Sequence, residues 1–279
     1  MDKNKRAHIT KKVTEKEDTS EIDYGTKIPG EDKRTVLEQA TAAKPAGGTI
    51  DSSNNDPSTG IIMIDSKQNE WVWVEVPSTV FTSATSSVDY DNIKANLIEY
   101  ATVYRGGYEY KDEFYTGCGL TQEEYTTKYQ TMLSSIYTNK GFYIGRYEAG
   151  IEGSDTNVGL ARDNRTEITN DSPNAVSKKD MIPYTYVYCS DAEKLAEGMA
   201  TGNKTSSLMF GIQWDLVCKF LETKKISVED IKENSTSWGN YSNSSFAVDS
   251  LKAQKCYPFG IITDKVKTGE MQLTTGASE

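Results

Sequence analysis

The chain has 279 residues and a formal net charge of -10 at pH 7, with 41 acidic against 31 basic side chains. Its length supports one large domain or two small ones with a real hydrophobic interior. An acidic surface repels phosphate backbones, which argues against nucleic-acid binding through a broad basic face.

No apolar run approaches the roughly 18 to 20 residues that a membrane-spanning helix needs. The charged first residues, MDKNKRAHITKKVTEKED, lack the apolar segment of a secretory signal. We therefore expect no membrane span and, by default, a cytoplasmic chain.

Residues 1–60 are polar, with basic and acidic residues in near balance. Of the 7 Phe, 4 Trp and 17 Tyr residues, only Tyr24 lies there. A segment of this composition buries too little apolar surface to offset the entropy of ordering. We predict a disordered leader over residues 1–60, with at most a short helix at TVLEQATAA. The folded domain should then cover residues 61–279 and be incomplete at its C-terminus.

The first predicted element is a β-hairpin in GIIMIDSKQNEWVWVEVP, where two β-rich runs flank a polar turn. Trp71 and Trp73 fall on one face of its second strand, and three valines fall on the other. Because both faces are apolar, this strand should lie in the interior of a sheet and end before Pro77.

Two helices should follow the hairpin. Aliphatic residues between positions 93 and 98 indicate a short helix. The segment LTQEEYTTKYQTMLSSIYTNKG predicts a longer one, because Thr121 and Glu124 form a capping-box pattern ahead of an apolar stripe. Gly141 should end this second helix.

The next stretch, GFYIGRYEAG, has the period of a short strand. Arg146 and Glu148 then lie on one strand face, two positions apart, as natural charged neighbours. The alternatives are that they perform chemistry or that they hold the fold together.

Two further helices are predicted near the middle of the chain. YTYVYCSDAEKLAEGM indicates a strand and then a helix, with Ser190 as its cap and Glu193 as the capping-box partner. In SLMFGIQWDLVCKFLETK, apolar residues recur at helical spacing from Trp214 and include Cys218, which should pack in the core.

The types of residue present limit the possible chemistry. The only histidine is His8, in the predicted leader, so a Ser-His-Asp or Cys-His arrangement, an HExxH motif or a multi-histidine metal centre cannot form. Neither a GxxxxGK[ST] loop nor a GxGxxG motif after a strand is present. Nucleotide chemistry is therefore disfavoured.

The cysteines and acidic residues also favour a structural interpretation. The four cysteines, at positions 118, 189, 218 and 256, form no CxxC pair, and we predict free, mostly buried thiols. The loops EGSDTN and DNRTEITND could ligate calcium but lack the EF-hand spacing, so we favour solvated loops. The aromatic residues could line a binding face, although a role in the core is the favoured interpretation.

Four segments, in order, resemble formylglycine-generating-enzyme domains, the sulfatase-modifying-factor group. GFYIGRYEAG resembles the early aromatic strand that ends in a glutamate, here Glu148. DAEKLAEGM and SLMFGIQWDLVCKFLE resemble the first two helices, and SWGNYS the tryptophan-glycine-asparagine loop. EWVWVEVP is similar to the first strand of bacterial and prophage relatives. The resemblance implies an irregular α+β fold related to C-type lectins, with low regular secondary structure, over about residues 60–279.

The resemblance does not extend to catalysis. True sulfatase-activating members carry a late cysteine pair that binds copper and oxidises a substrate cysteine, and none of the four cysteines matches that pair. No catalytic, cofactor-binding or metal-binding residue therefore transfers. The residues that we assign to a structural framework are Trp71, Trp73, Arg146, Glu148, Trp214 and Trp238.

The favoured hypothesis is a non-catalytic binding or display module of a bacterium or phage, with a protein or glycan ligand. The alternative is the front part of a formylglycine-generating oxidase whose active half is missing. A third hypothesis is a truncated product without a function of its own.

Overall fold

The computed structural model describes residues 32–105, 112–160, 162, 164–232, 255–257 and 260–262. They form a mixed α+β structure with antiparallel sheets. Helices account for 40% and strands for 15% of it. This content is ordinary for a globular domain, so the structure is more regular than the sequence analysis expects. Every element below belongs to the unit Lys33–Glu279.

A four-stranded antiparallel sheet organises this unit, with strands in the order β1-β2-β3-β4. The strands are β1 (Thr49–Asp56), β2 (Gly60–Ile64), β3 (Glu70–Glu75) and β4 (Gly141–Gly145). The predicted hairpin is confirmed as β2 and β3. Its second strand has a neighbour on each side, as its two apolar faces predict.

Helices and shorter strand pairs complete the described structure. The helices are α1 (Val36–Ala43), α2 (Tyr90–Arg105), α3 (Gln122–Asn139), α4 (Cys189–Gly198), α5 (Gly211–Thr223) and α6 (Val228–Lys232). The paired short strands are β5 (Gly150–Ile151) with β6 (Ala175–Val176), and β7 (Lys255–Tyr257) with β8 (Gly260–Ile262).

The main hydrophobic core lies between one face of the sheet and the helices α2, α3 and α5. Each element contributes residues at the spacing that its geometry requires, every second residue on the strands and every third or fourth on the helices. The buried members of this core are Val74, Val76, Phe142, Ile93, Leu97, Ala101, Met132, Leu133, Ile136, Ile212, Leu216 and Phe220.

Helix α1 covers part of the opposite face of the sheet. Its residues Ala40 and Ala43 are buried in a second cluster with Ile61 and Trp73. The Tyr143 hydroxyl donates a hydrogen bond to the Ala40 carbonyl at 2.8 Å. The small alanines let the helix approach closely, so both faces of the central strand β3 are covered.

Helix α1 and strand β1 lie within residues 33–60, which the sequence analysis assigned to a disordered leader. The short helix is present, and a capping box between Thr35 and Glu38 starts it. The polar strand β1 was not predicted, because its place comes from backbone pairing with the apolar β2 rather than from its own side chains. The predicted boundary at residue 60 therefore falls inside the sheet.

Helices α2 and α3 are confirmed, although α2 has 16 residues and is longer than the short helix predicted there. The capping box of Thr121 and Glu124 starts α3 as predicted. The end of this helix differs, because Lys140 rather than Gly141 takes the left-handed conformation, with a φ of 63°. Gly141 instead opens β4.

The predicted start of α4 is wrong. The helix begins at Cys189 after Tyr188, so Ser190 lies inside the helix and does not cap it. The expected strand before it is also absent from this described stretch, which makes only an isolated bridge at Pro183. Alternating aromatic residues favour a strand there, but its partner in that bridge, β5, is only two residues long.

Helix α5 is confirmed, but its inward face is rotated relative to the prediction. Ile212, Leu216 and Phe220 face the core, while Trp214 is 57% exposed. Cys218 is buried, as predicted. The error arises because several consecutive apolar residues in this helix permit more than one stripe.

Several predictions fall outside the described residues. They concern Trp238 and its SWGNYS loop, His8, and the side chain of Cys256. Among the helices that the structure does describe, none combines the length and apolarity needed to cross a membrane.

Candidate functional site

Arg146 lies directly after β4 and pairs with Glu70 on the neighbouring strand. Its Nη1 atom is 2.7 Å from Glu70 Oε2, and its backbone N–H donates to the Glu70 carbonyl at 2.9 Å. Strand β4 ends at Gly145, so the alternation that placed Arg146 beside Glu148 stops before either residue. In the described structure no ion pair joins Arg146 and Glu148, which corrects that expectation.

Glu148 lies in the bend between β4 and β5. The residue is exposed by surface area, yet surrounding protein partly desolvates its carboxyl and raises its pKa above the ordinary value. No cationic partner in the described structure offsets this desolvation, so the surroundings of Glu148 do not stabilise its ionised form.

Trp71 belongs to a hydrogen-bonded turn centred on Asp65, a residue that the sequence analysis did not single out. Asp65 is 1% exposed. Its carboxylate accepts hydrogen bonds from the Trp71 indole at 2.9 Å, from both the backbone and side-chain nitrogens of Asn69, and from the Lys67 backbone. These bonds satisfy the buried carboxylate and order the β2–β3 turn.

Trp73 is also buried, with its ring packed against β4. A methyl group on Gly141 would lie 2.5 Å from the Trp73 ring, so only glycine fits there. The Tyr143 ring meets Trp73 edge-on, with 4.9 Å between the ring centroids. The exposed Trp214 is not part of this cluster.

A groove of about 450 Å³ lies beside β4, and we call it the edge groove. Strand β4 forms its floor. Helix α3 contributes one wall, and the loop between α4 and α5, residues 199–210, contributes another. Representative lining residues are Thr131, Ser135, Met132, Ile144, Ser206 and Met209.

The α4–α5 loop that walls the groove is anchored at both ends. Glu193, buried in α4, accepts a hydrogen bond from the Leu208 N–H at 2.9 Å. Lys128 of α3 lies 3.1 Å from the other Glu193 oxygen, close enough for an ion pair but without hydrogen-bond geometry. At the start of the loop, Lys67 Nζ donates to the carbonyls of Gly198 and Ala200. Glu193, predicted as a capping residue, instead fixes this wall.

The three cysteines whose side chains the structure describes lie outside the groove lining. All three are free thiols, but only Cys218 is buried, while Cys118 is half-buried and Cys189 is exposed, so the expectation of mostly buried thiols is wrong for these two. Burial raises the pKa of Cys218 to about 11, and partial desolvation by nearby protein, together with Cys118 and Glu193, raises the pKa of the exposed Cys189. Thiols with raised pKa values are poor nucleophiles at neutral pH.

The oxygen-rich loop EGSDTN uses its polar groups internally. The Ser154 hydroxyl donates to the Ile151 carbonyl at 2.6 Å and accepts the Ile182 N–H at 2.8 Å. Glu152 accepts a hydrogen bond from Asn174. Across the described part of the chain, no group of three His, Cys, Asp or Glu side chains is placed to hold a metal ion.

No sequence pattern described above predicts the edge groove, although one feature of the sequence points to it. Gly141 and Gly145 bracket β4 in the run GFYIG, and glycines in a strand often mark a place where another backbone approaches closely. The two groove walls are distant in sequence, so their approach could not be read from a local pattern.

No protein-family model, curated protein or solved structure matches this chain.

Proposed function

We propose that this chain is a non-catalytic binding module and that its ligand lies in the edge groove. The observation that carries the proposal is the groove itself, which runs along a strand edge with no described partner strand. Its volume falls in the range of ligand sites, roughly 300 to 1,000 Å³. Its walls combine apolar side chains with hydroxyl groups, which suit recognition.

The proposal extends to the lectin-like α+β fold of the formylglycine-generating-enzyme superfamily, used for binding or display in a bacterium or its phage. The antiparallel sheet and the loop-built groove wall support it. A rigid sheet that carries variable loops is a common way to build a recognition surface.

A groove-filling substitution tests this function. Thr131 is an exposed α3 residue that lines the groove, so Thr131→Trp should fill it at little cost to the fold. Thr126, also exposed on α3 but outside the groove, provides the matched control Thr126→Trp. Purified wild-type chain is first applied to glycan and peptide arrays to obtain ligands.

We expect Thr131→Trp to weaken binding of a captured ligand by at least about tenfold, a change of about 1.4 kcal/mol. Thr126→Trp should bind as the wild type does. The proposed function is contradicted if neither array yields a ligand, or if Thr131→Trp leaves the affinity for the captured ligand unchanged.

A further inference from the structure

Two hydrogen bonds fix which backbone groups of β4 face β3. The Val76 N–H donates to the Lys140 carbonyl, and the Arg146 N–H donates to the Glu70 carbonyl, each at 2.9 Å. In an antiparallel pair, opposed residues alternate between hydrogen-bonded and non-hydrogen-bonded positions. Lys140 and Arg146, which flank β4, are both even-numbered and both bond to β3. The even-numbered residues between them, Phe142 and Ile144, therefore also bond to β3.

The odd-numbered residues Gly141, Tyr143 and Gly145 therefore direct their backbone N–H and C=O groups away from β3. All three line the edge groove. No strand in the described part of the chain pairs with this side of β4. The groove floor is thus a row of backbone donors and acceptors at the spacing of a β-strand.

Both sides of the groove present apolar and polar side chains. An added strand places its side chains alternately on the two faces of the sheet. Those on the α3 side would meet the apolar Ile144 and Met132 and the hydroxyl-bearing Thr131. Those on the opposite side would meet the aromatic Trp71 and Tyr143 and the hydroxyl-bearing loop between α4 and α5.

We infer that the edge groove binds an extended peptide, which adds to the sheet as a fifth strand beside β4. This inference rests on the proposed function and names its ligand class. Main-chain hydrogen bonds to the β4 edge supply affinity, and the side chains that line the two sides of the groove supply specificity.

The groove is less suited to a sugar ring. Carbohydrate stacking needs the open face of an aromatic ring, but Trp73 is 1% exposed. The Trp71 indole N–H donates to Asp65, so it is not available to a sugar hydroxyl. The open backbone edge therefore favours a peptide over a glycan.

The test begins with a peptide selected from a displayed random library by the full chain. Each residue of the synthetic peptide is then N-methylated in turn, which removes one backbone donor at a time. We expect losses of about tenfold or more at every second residue and small changes between them, because only alternate N–H groups face β4. A flat or irregular pattern overturns the inference.

A pair of variants tests the protein side. Gly145→Pro removes the groove-facing N–H. Gly145→Ala keeps this N–H and, as proline does, adds a Cβ atom, which would lie 3.0 Å from Ser177 Oγ. We expect Gly145→Pro to weaken the peptide at least about tenfold relative to Gly145→Ala. Equal binding by the two variants overturns the inference. The N-methylation scan uses wild-type protein and remains decisive if Gly145→Pro fails to fold.

The outcomes separate this inference from the proposed function. If glycans bind in a manner sensitive to Thr131→Trp and no peptide is selected, the ligand class is wrong but the groove is still a binding site. If neither ligand class binds, both proposals fail.

Discussion

Asp65 shows how a buried charge can serve structure rather than chemistry. Its carboxylate lies at the centre of the β2–β3 turn and accepts hydrogen bonds from Lys67, Asn69 and Trp71. A buried carboxylate is tolerated only where such donors replace water. The ordered β2–β3 turn also positions Trp71 at the edge groove.

We therefore expect Asp65→Ala to destabilise the chain by about 3 kcal/mol, because several buried donors lose their partner at once. Urea unfolding monitored by tryptophan fluorescence measures the change. Asp171→Ala, at an exposed turn, serves as the control and should stay within about 0.5 kcal/mol of wild type. An equal effect of the two substitutions contradicts the assigned role of Asp65.

Glu75, at the end of β3, is half-buried, and burial raises the pKa of its carboxyl above 4.5 despite the opposing influence of Lys224. The folded state then holds the proton more tightly than the unfolded state, so ionisation costs stability as pH rises above about 4.5. Glu75→Gln should stabilise the chain at pH 7, and the gain should vanish near pH 4.

Denaturant unfolding of wild type and Glu75→Gln at the two pH values measures this difference. Glu99→Gln, on the exposed face of α2, is the control and should show no comparable gain. A gain that is the same at both pH values points to packing rather than ionisation. Glu148, whose pKa is raised in the same direction, should respond to Gln with the same sign.

At the scale of elements, α3 links the core to the edge groove. One face buries Met132, Leu133 and Ile136, and the adjoining exposed face presents Thr131 and Ser135 to the groove. The capping box at its start satisfies backbone donors that the helix itself leaves free.

Thr121→Ala removes this cap and should destabilise the chain by about 1 kcal/mol. Thr131→Ala is a useful comparison, because alanine favours a helix interior and should leave stability unchanged or slightly raised. Chemical unfolding followed by circular dichroism at 222 nm compares the two. If Thr121→Ala is as stable as Thr131→Ala, the cap contributes nothing to the fold.

Elements with a strong local signal could be predicted from the sequence. The β2–β3 hairpin and the start of α3 follow from periodicity and from the Thr121–Glu124 pattern. The aliphatic residues between positions 93 and 98 predict only a short part of α2. Strand β1 and the inward face of α5 could not be predicted, because distant partners decide them. The same holds for the edge groove, whose floor and walls meet only in the folded chain.

At the scale of the whole molecule, the sheet is protected unevenly. Helices α2, α3 and α5 cover one face, and α1 covers part of the other. The outer edge of β4 has a groove beside it and no partner strand among the described residues. An open strand edge can pair with other chains and cause aggregation. Here α3 and the α4–α5 loop border the edge, so that only a ligand that fits between them reaches it.

The most direct test of this account is amide hydrogen exchange of β4 in the free chain, resolved by residue with NMR. Phe142 and Ile144 bond to β3, whereas Tyr143 and Gly145 face the groove. We predict that the N–H groups of Tyr143 and Gly145 exchange at least about tenfold faster than those of Phe142 and Ile144. Equally slow exchange at all four positions would show that the edge is already paired and would contradict the account.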